Sequence, residues 1–207
     1  MHSLTLTVGH FEENCYILWD RSPGPAFVID PGGQPETILQ ALRERDLSIT
    51  HILLTHAHFD HLLAAPALQK ATGAPVYVHR LDIEGVKHLR GPFPMPSYTP
   101  PSDLRTVEAG DTIEESGLTI TFRHTPGHTP GSCCLTGQNA IYSGDTLFAG
   151  DVGRVDLPGS SPDDMRRTLA AIAGWTGDYD VFPGHGHATT LSGEQTGNPY
   201  LQPPFNL

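Results

Sequence analysis

Residues 55–61 read Thr55-His56-Ala57-His58-Phe59-Asp60-His61, directly behind Ile49-Thr50-His51-Ile52-Leu53-Leu54. The upstream run is short, apolar and β-branched, which predicts a buried strand. The downstream run, residues 62–71, is helix-compatible, with Pro66 shortening or kinking the helix. The heptad therefore occupies the loop at the carboxyl end of a strand, where open α/β sheets place their sites. His56 and His58 can chelate one ion if the loop turns both rings inward. Asp60 and His61 can then face a second ion. Twelve histidines in 207 residues make some clustering expected, but chance rarely sets His-x-His-x-Asp-His behind an apolar strand.

Working outward, residues 4–8, 15–19 and 26–29 read as strands, the third ending at the turn signature Asp30-Pro31-Gly32-Gly33. Residues 37–45 have helical spacing and residues 75–78 read as a strand. Five prolines in 91–101 predict a long irregular connection, either a linker between halves or a loop over the site. Strands follow at 112–115, 118–123, 132–135, 140–142 and 181–182. Residues 162–173 form a helix with Ser161 as N-cap and Pro162 at its first position. Strands punctuated by a few helices suggest sheets covered by helices.

Composition bounds the function. A chain of 207 residues with 38% hydrophobic and 17% charged content is globular, long enough for a substantial core, and is read as one domain over residues 1–207. A formal net charge of −11 argues against a nucleic-acid partner. The first residues show no basic and apolar leader, and no run is long enough to span a membrane, so neither a signal peptide nor a membrane partner is expected. Cys15, Cys133 and Cys134 are odd in number, and the adjacent pair points to opposite faces of a strand. A disulfide framework is not expected, which fits a reducing cytoplasm.

Three further marks follow: His124-Thr125-Pro126-Gly127-His128-Thr129-Pro130-Gly131, Ser143-Gly144-Asp145-Thr146 and Pro183-Gly184-His185-Gly186. Each sets a His or Asp in a Gly/Pro turn after a predicted strand. Singly they are weak. In this order after the heptad, the chain resembles the metallo-hydrolase branch of the metallo-β-lactamase superfamily over residues 56–185. The resemblance implies an α/β fold, the four-layer αβ/βα sandwich, with its site at the junction of two halves. It puts His56, His58 and His128 on a first metal, Asp60, His61 and His185 on a second, and Asp145 between them. Imidazoles and carboxylates suit zinc first, with iron or manganese as alternatives. Two divalent ions against two aspartates and a hydroxide leave about +1, which favours an anionic substrate. Asp30, Thr55 and His124 are candidates for orienting the ligand rings. β-Lactamases of this fold lack a bridging aspartate here, so Asp145 argues against drug hydrolysis as the native role.

Residues 143–159 and the tail Gly193-Glu194-Gln195-Thr196-Gly197-Asn198-Pro199-Tyr200 look like the short glyoxalase II-like proteins. That likeness implies hydrolysis of hydroxyacyl-glutathione or a related thioester, with Asp60 orienting the attacking water. The departures are specific. Long glyoxalase II proteins have a C-terminal helical region supplying basic and tyrosine contacts to glutathione. Here the tail after His185 has no Lys or Arg. Where the long enzymes place a tyrosine, this chain reads His187-Ala188. Arg154 is the remaining basic candidate for substrate, against a plain pairing with Asp151 or Asp156. The alternatives are a mononuclear-iron persulfide dioxygenase, which shares the Gly-Arg-Val-Asp segment but differs around Pro-Gly-His185-Gly, and a lactonase. Oligomeric state is not readable.

Overall fold

The computed structural model describes residues 1–91 and 98–207. Most of the proline-rich connection expected at 91–101 lies outside the described residues. The first sheet has the order β1 (His2–Val8), β2 (Glu13–Trp19), β3 (Gly24–Ile29), β4 (Leu47–Leu53), β5 (Val76–His79) and β6 (Leu104–Val107). Its first two junctions are antiparallel and its last three parallel. With it go α1 (Pro35–Arg43), α2 (Phe59–Leu62), α3 (Ala65–Thr72) and α4 (Ile83–Lys87). The second half contributes β7 (Thr112–Glu115), β8 (Leu118–His124), β9 (Cys133–Gly137), β10 (Ala140–Gly144), a small hairpin of β11 (Leu147–Phe148) and β12 (Asp151–Val152), α5 (Pro162–Ala173), β13 (Asp180–Pro183), β14 (Thr189–Thr190) and α6 (Leu191–Gly197). The second sheet runs β14-β13-β10-β9-β8-β7.

Alternation along the strands makes the layers. In β2, Cys15 and Ile17 turn to a core shared with Ile38 and Leu42 of α1 and Leu68 of α3. Tyr16 and Leu18 turn the other way, into a core between the sheets with Phe122, Leu135 and Tyr142. In the second sheet, Cys134 and Ile141 face Met165 and Leu169 of α5. The stacking is helix, sheet, sheet, helix, the αβ/βα sandwich. A one-residue slip in β2 would exchange its two cores, so its register is strongly specified. Each fully buried Leu, Ile or Phe contributes about 1.5–3 kcal/mol, and a charge at Ile17 would lose this and add a desolvation cost. Cys133 and Cys134 do face opposite cores, and all three cysteines are free thiols.

Helix 162–173 is observed as expected, and Ser161 Oγ accepts a hydrogen bond from Asp164 N at 3.2 Å. The helix after the heptad differs. It is two pieces, α2 and α3, and Pro66 sits in the first turn of α3, where its missing N–H has no partner to lose. Asp60 and His61 thus stand on a helical turn rather than an open loop. Among the described residues, no helix is long and apolar enough to cross a membrane.

Candidate metal centre

The site forms where the carboxyl ends of strands from both sheets meet. Residues 55–61 leave β4. His128 lies on the turn between β8 and β9, Asp145 follows β10 and His185 follows β13. Backbone hydrogen bonds lock these ends together: Cys133 N to Thr55 O at 2.9 Å, Gly184 N to Gly144 O at 2.8 Å, and Asn14 N to Gly184 O at 2.7 Å. Gly184 is required by closeness. A Cβ there would lie 2.4 Å from Asp145 Oδ1 and 2.6 Å from His61 Cε1. Gly144 has a left-handed φ of +49°, and a Cβ would lie 2.3 Å from Thr55 Oγ1.

Two groups of side chains converge. His58 Nδ1 lies 3.1 Å from His56 Nε2 and 2.8 Å from His128 Nε2. The second group is Asp60, His61 and His185. Asp145 lies between them, Oδ1 3.3 Å from His61 Nε2 and Oδ2 3.4 Å from His128 Nε2. The predicted ligands are therefore all brought together.

The tautomers follow from the outer partners. His61 Nδ1 donates to Asp30 Oδ2 at 3.0 Å, His128 Nδ1 to Arg154 O at 2.9 Å, and His185 Nδ1 to Phe11 O at 3.0 Å. Thr55 Oγ1 donates to Asp30 Oδ2 and so accepts from His56 Nδ1 at 3.0 Å. Each ring thereby keeps an Nε2 lone pair aimed inward, the arrangement ligating histidines use. His58 Nδ1 faces the inward Nε2 atoms of both His56 and His128, and one ring proton cannot satisfy both, whereas a cation among the three nitrogens can. His61 Nε2 and Asp145 Oδ1 are buried without a hydrogen-bond partner. These observations fit divalent metal ions.

The electrostatics differ between the two groups. Burial, then the neighbouring imidazoles, hold His56 well below the usual imidazole range and push His58 down to about 4. Both are neutral, as ligands must be. Burial alone would raise Asp145, but positive charge on His61, then on His128 and His185, holds it well below the carboxylate range. Burial would lower His61, but Asp145 and Asp30 hold it well above the usual imidazole range, so the second group draws in a positive charge that a divalent ion would supply. Burial likewise opposes ionisation of Asp60, yet the neighbouring imidazoles of His185, whose Nε2 lies 3.5 Å away, and His61 bring it down.

Asp30 and Thr55 orient ligand rings. His124 does not: its Nε2 faces Pro130 O at 2.8 Å and its ring stacks on His79 at 4.2 Å. It lies outside the ligand cluster because the chain between it and His128 turns through Pro126 and Gly127. Two residues carried no readable signal in the sequence. Asp82 is buried and accepts from Ala57 N at 2.9 Å, Thr129 Oγ1 at 2.7 Å and Gly131 N at 2.7 Å. It ties the His56–His58 loop to the His128 loop. Glu13 is buried behind His61, and both its carboxylate oxygens lack a hydrogen-bond partner. Burial is the main cause raising its carboxyl well above the usual range. The Arg154 side chain is exposed and forks onto Asp156 at 2.6 and 2.8 Å.

The description Metallo-beta-lactamase superfamily matches residues 8–191. Hydroxyacylglutathione hydrolase GloC of Haemophilus influenzae is 30% identical over 206 residues, covering 95% of this chain and 96% of that protein. The B3 metallo-beta-lactamase BLEG-1 superposes with a TM-score of 0.83 at 32% identity, over 97% of this chain and 99% of that one. A di-iron-bound form of TTHA1623 gives 0.80 at 35%, over 95% and 99%. A match over this much of the sequence, with the paired ligand groups at the carboxyl ends of both sheets, means that the chain belongs to the metallo-beta-lactamase superfamily.

Proposed function

We propose that this metal-dependent hydrolase is a thioesterase of the glyoxalase II type, working with two divalent ions in the cytoplasm as one domain over residues 1–207. The observation that carries the reading is the inward set of lone-pair nitrogens with Asp145 between the two groups. The likeness of residues 143–159 to the short glyoxalase II-like proteins supports the choice of a thioester, as does the name of the Haemophilus influenzae relative. His56, His58 and His128 would hold one ion, Asp60, His61 and His185 the other, and Asp145 both. The name of a Bacillus velezensis relative 32% identical over 172 residues, probable polyketide biosynthesis zinc-dependent hydrolase BaeB, supports zinc, and that of the TTHA1623 structure iron. When bound, the ions lower the pKa of water and stabilise oxyanion charge.

The chain's own residues do the rest. Asp60 is held ionised and is acceptor-only, so it orients a water by taking its hydrogen bond. Water adds to the thioester carbonyl carbon, the C–S bond breaks, one water proton goes to the leaving sulfur and the other to solvent, and the products are a carboxylate and a thiol. The tail supplies no cation for glutathione. Instead it braces the β11–β12 hairpin: Glu194 Oε2 accepts from Gly150 N at 2.9 Å, and Asn198 Nδ2 donates to Asp151 O at 3.1 Å. Each missing charged contact weakens binding about tenfold or more. S-lactoylglutathione is therefore hydrolysed with weak saturation, and a smaller acyl thioester competes in kcat/KM.

One metal-loaded sample tested against S-lactoylglutathione, a small thioester, a lactone, a persulfide and a β-lactam decides the matter. Thioester turnover with two ions per chain supports the reading. Oxygen uptake with a persulfide and a single iron overturns it, as does turnover confined to the lactone or the β-lactam.

A further inference from the structure

Beside the second ligand group lies a cavity of about 480 Å³. Phe11, Pro35, Phe59, Leu63 and Ala64 line it, and Asp60 belongs to its wall. The rings of Phe11 and Phe59 meet edge to face at 5.1 Å. Phe11 is 45% exposed and Leu63 39%, a high exposure for large apolar side chains brought together on one wall. Among the described residues no Lys or Arg lines the cavity. The wall is continuous with the metal centre, because Phe11 O accepts from His185 Nδ1 at 3.0 Å and Asp60 Oδ2 lies 3.5 Å from His185 Nε2.

We propose that this cavity seats the uncharged, apolar acyl chain of the thioester, which makes the preferred substrates medium-chain or aryl acyl thioesters. The proposal rests on the thioesterase reading for its reaction and on the cavity for its selectivity. A substrate whose carbonyl lies at the ligand cluster has two arms. The thiol arm of a glutathione thioester carries carboxylates and amides, which would lose water against this apolar wall with no Lys or Arg to pair with them. The acyl arm stays neutral beyond the carbonyl and gains by leaving water for the Phe11, Phe59 and Leu63 surfaces. A volume of this size is ordinary for a small-molecule site.

Two measurements test this. The first is kcat/KM on acetyl to octanoyl thioesters of N-acetylcysteamine. It should rise up to about fourfold per added methylene until the cavity fills. Leu63→Trp, a change at a half-exposed position that narrows the cavity, should cut the octanoyl-to-acetyl ratio at least about tenfold. The second needs no turnover: calorimetric titration of the zinc-loaded protein with acetate, butyrate and octanoate. Affinity should rise with chain length in the wild type and not in Leu63→Trp. Chain-length-dependent carboxylate binding without thioester turnover would sink the thioesterase reading and keep the cavity assignment. Thioester turnover with acetate and octanoate binding within about twofold would do the reverse. Selectivity that follows the thiol while ignoring the acyl group would overturn the acyl assignment.

Discussion

The two ligand groups are built differently. His56 and His128 are 1% and 2% exposed, and the loops carrying them are tied across the halves by Asp82. Asp60 and His185 are 16% and 29% exposed and stand beside an open apolar cavity. His58 of the first group is half-buried and His61 of the second is fully buried and held by Asp30, so the contrast lies in the Asp82 brace on one side and in the exposure of Asp60 and His185 on the other. If the centre takes the two ions proposed above, the braced group is the more preorganised and should bind its ion first and more tightly. An open group leaves room for substrate. The asymmetry assigns retention to one side and recognition to the other.

Asp145→Ala would erase this contrast, because both groups lean on that carboxylate. Outer partners of ligands cost about 10–100-fold when removed, so a residue between both groups should cost more than about a hundredfold in kcat. Elemental analysis should show at least one ion lost. Full occupancy and full activity would remove Asp145 from the site.

Asp82→Ala should sharpen the contrast. It leaves the amides of Ala57 and Gly131 and the Thr129 hydroxyl without their acceptor. Stranded buried donors cost about 1–3 kcal/mol each, partly recovered by water, so urea unfolding should show a loss of about 3 kcal/mol. In competition titrations with a chelator, the tighter ion should weaken about tenfold or more while the weaker one changes little. Equal weakening of both would mean that Asp82 only supports the fold.

His185→Ala should act on the other side. The position is partly open, so the melting temperature should move by no more than about 2 °C. The weaker ion should be lost and the tighter one kept, giving one ion per chain by mass spectrometry under native conditions. Loss of both would contradict the independence of the groups.

The sequence marked the side chains that converge and missed some of their supports, for a physical reason. Ligands at strand ends sit in turns, and turns need Gly and Pro, so His128, Asp145 and His185 came with local punctuation. The heptad needed only its own spacing. Asp82 acts over a separation of 47 residues to Thr129, and nothing local marks it. Glu13 looks like the polar start of a strand, and only the fold buries it. Long apolar runs such as β2 and the capped helix α5 were readable from pattern and cap. The two-residue strands and the short helices α4 and α6 were not, because a few residues hold no period. Pro66 was read as a weakness inside a helix, whereas it starts one.

The smallest effect expected is at Arg154, and it tests whether the first group contributes to recognition at all. Its backbone carbonyl orients His128, a role that substitution leaves intact. Its guanidinium is exposed and already paired with Asp156, and exposed pairs are worth about 0–1 kcal/mol. To meet a substrate carboxylate it must exchange one acceptor for another, so little is gained. Arg154→Ala should raise KM for S-lactoylglutathione by about fivefold at most, consistent with that range, and change KM for a neutral acyl thioester by less than half as much. The melting temperature should hold within about 1 °C. Steady-state kinetics on both substrates with the same metal loading checks it. A rise in KM far above tenfold, confined to the glutathione thioester, would show that the closed side also recognises substrate, and the division between retention and recognition would have to be given up.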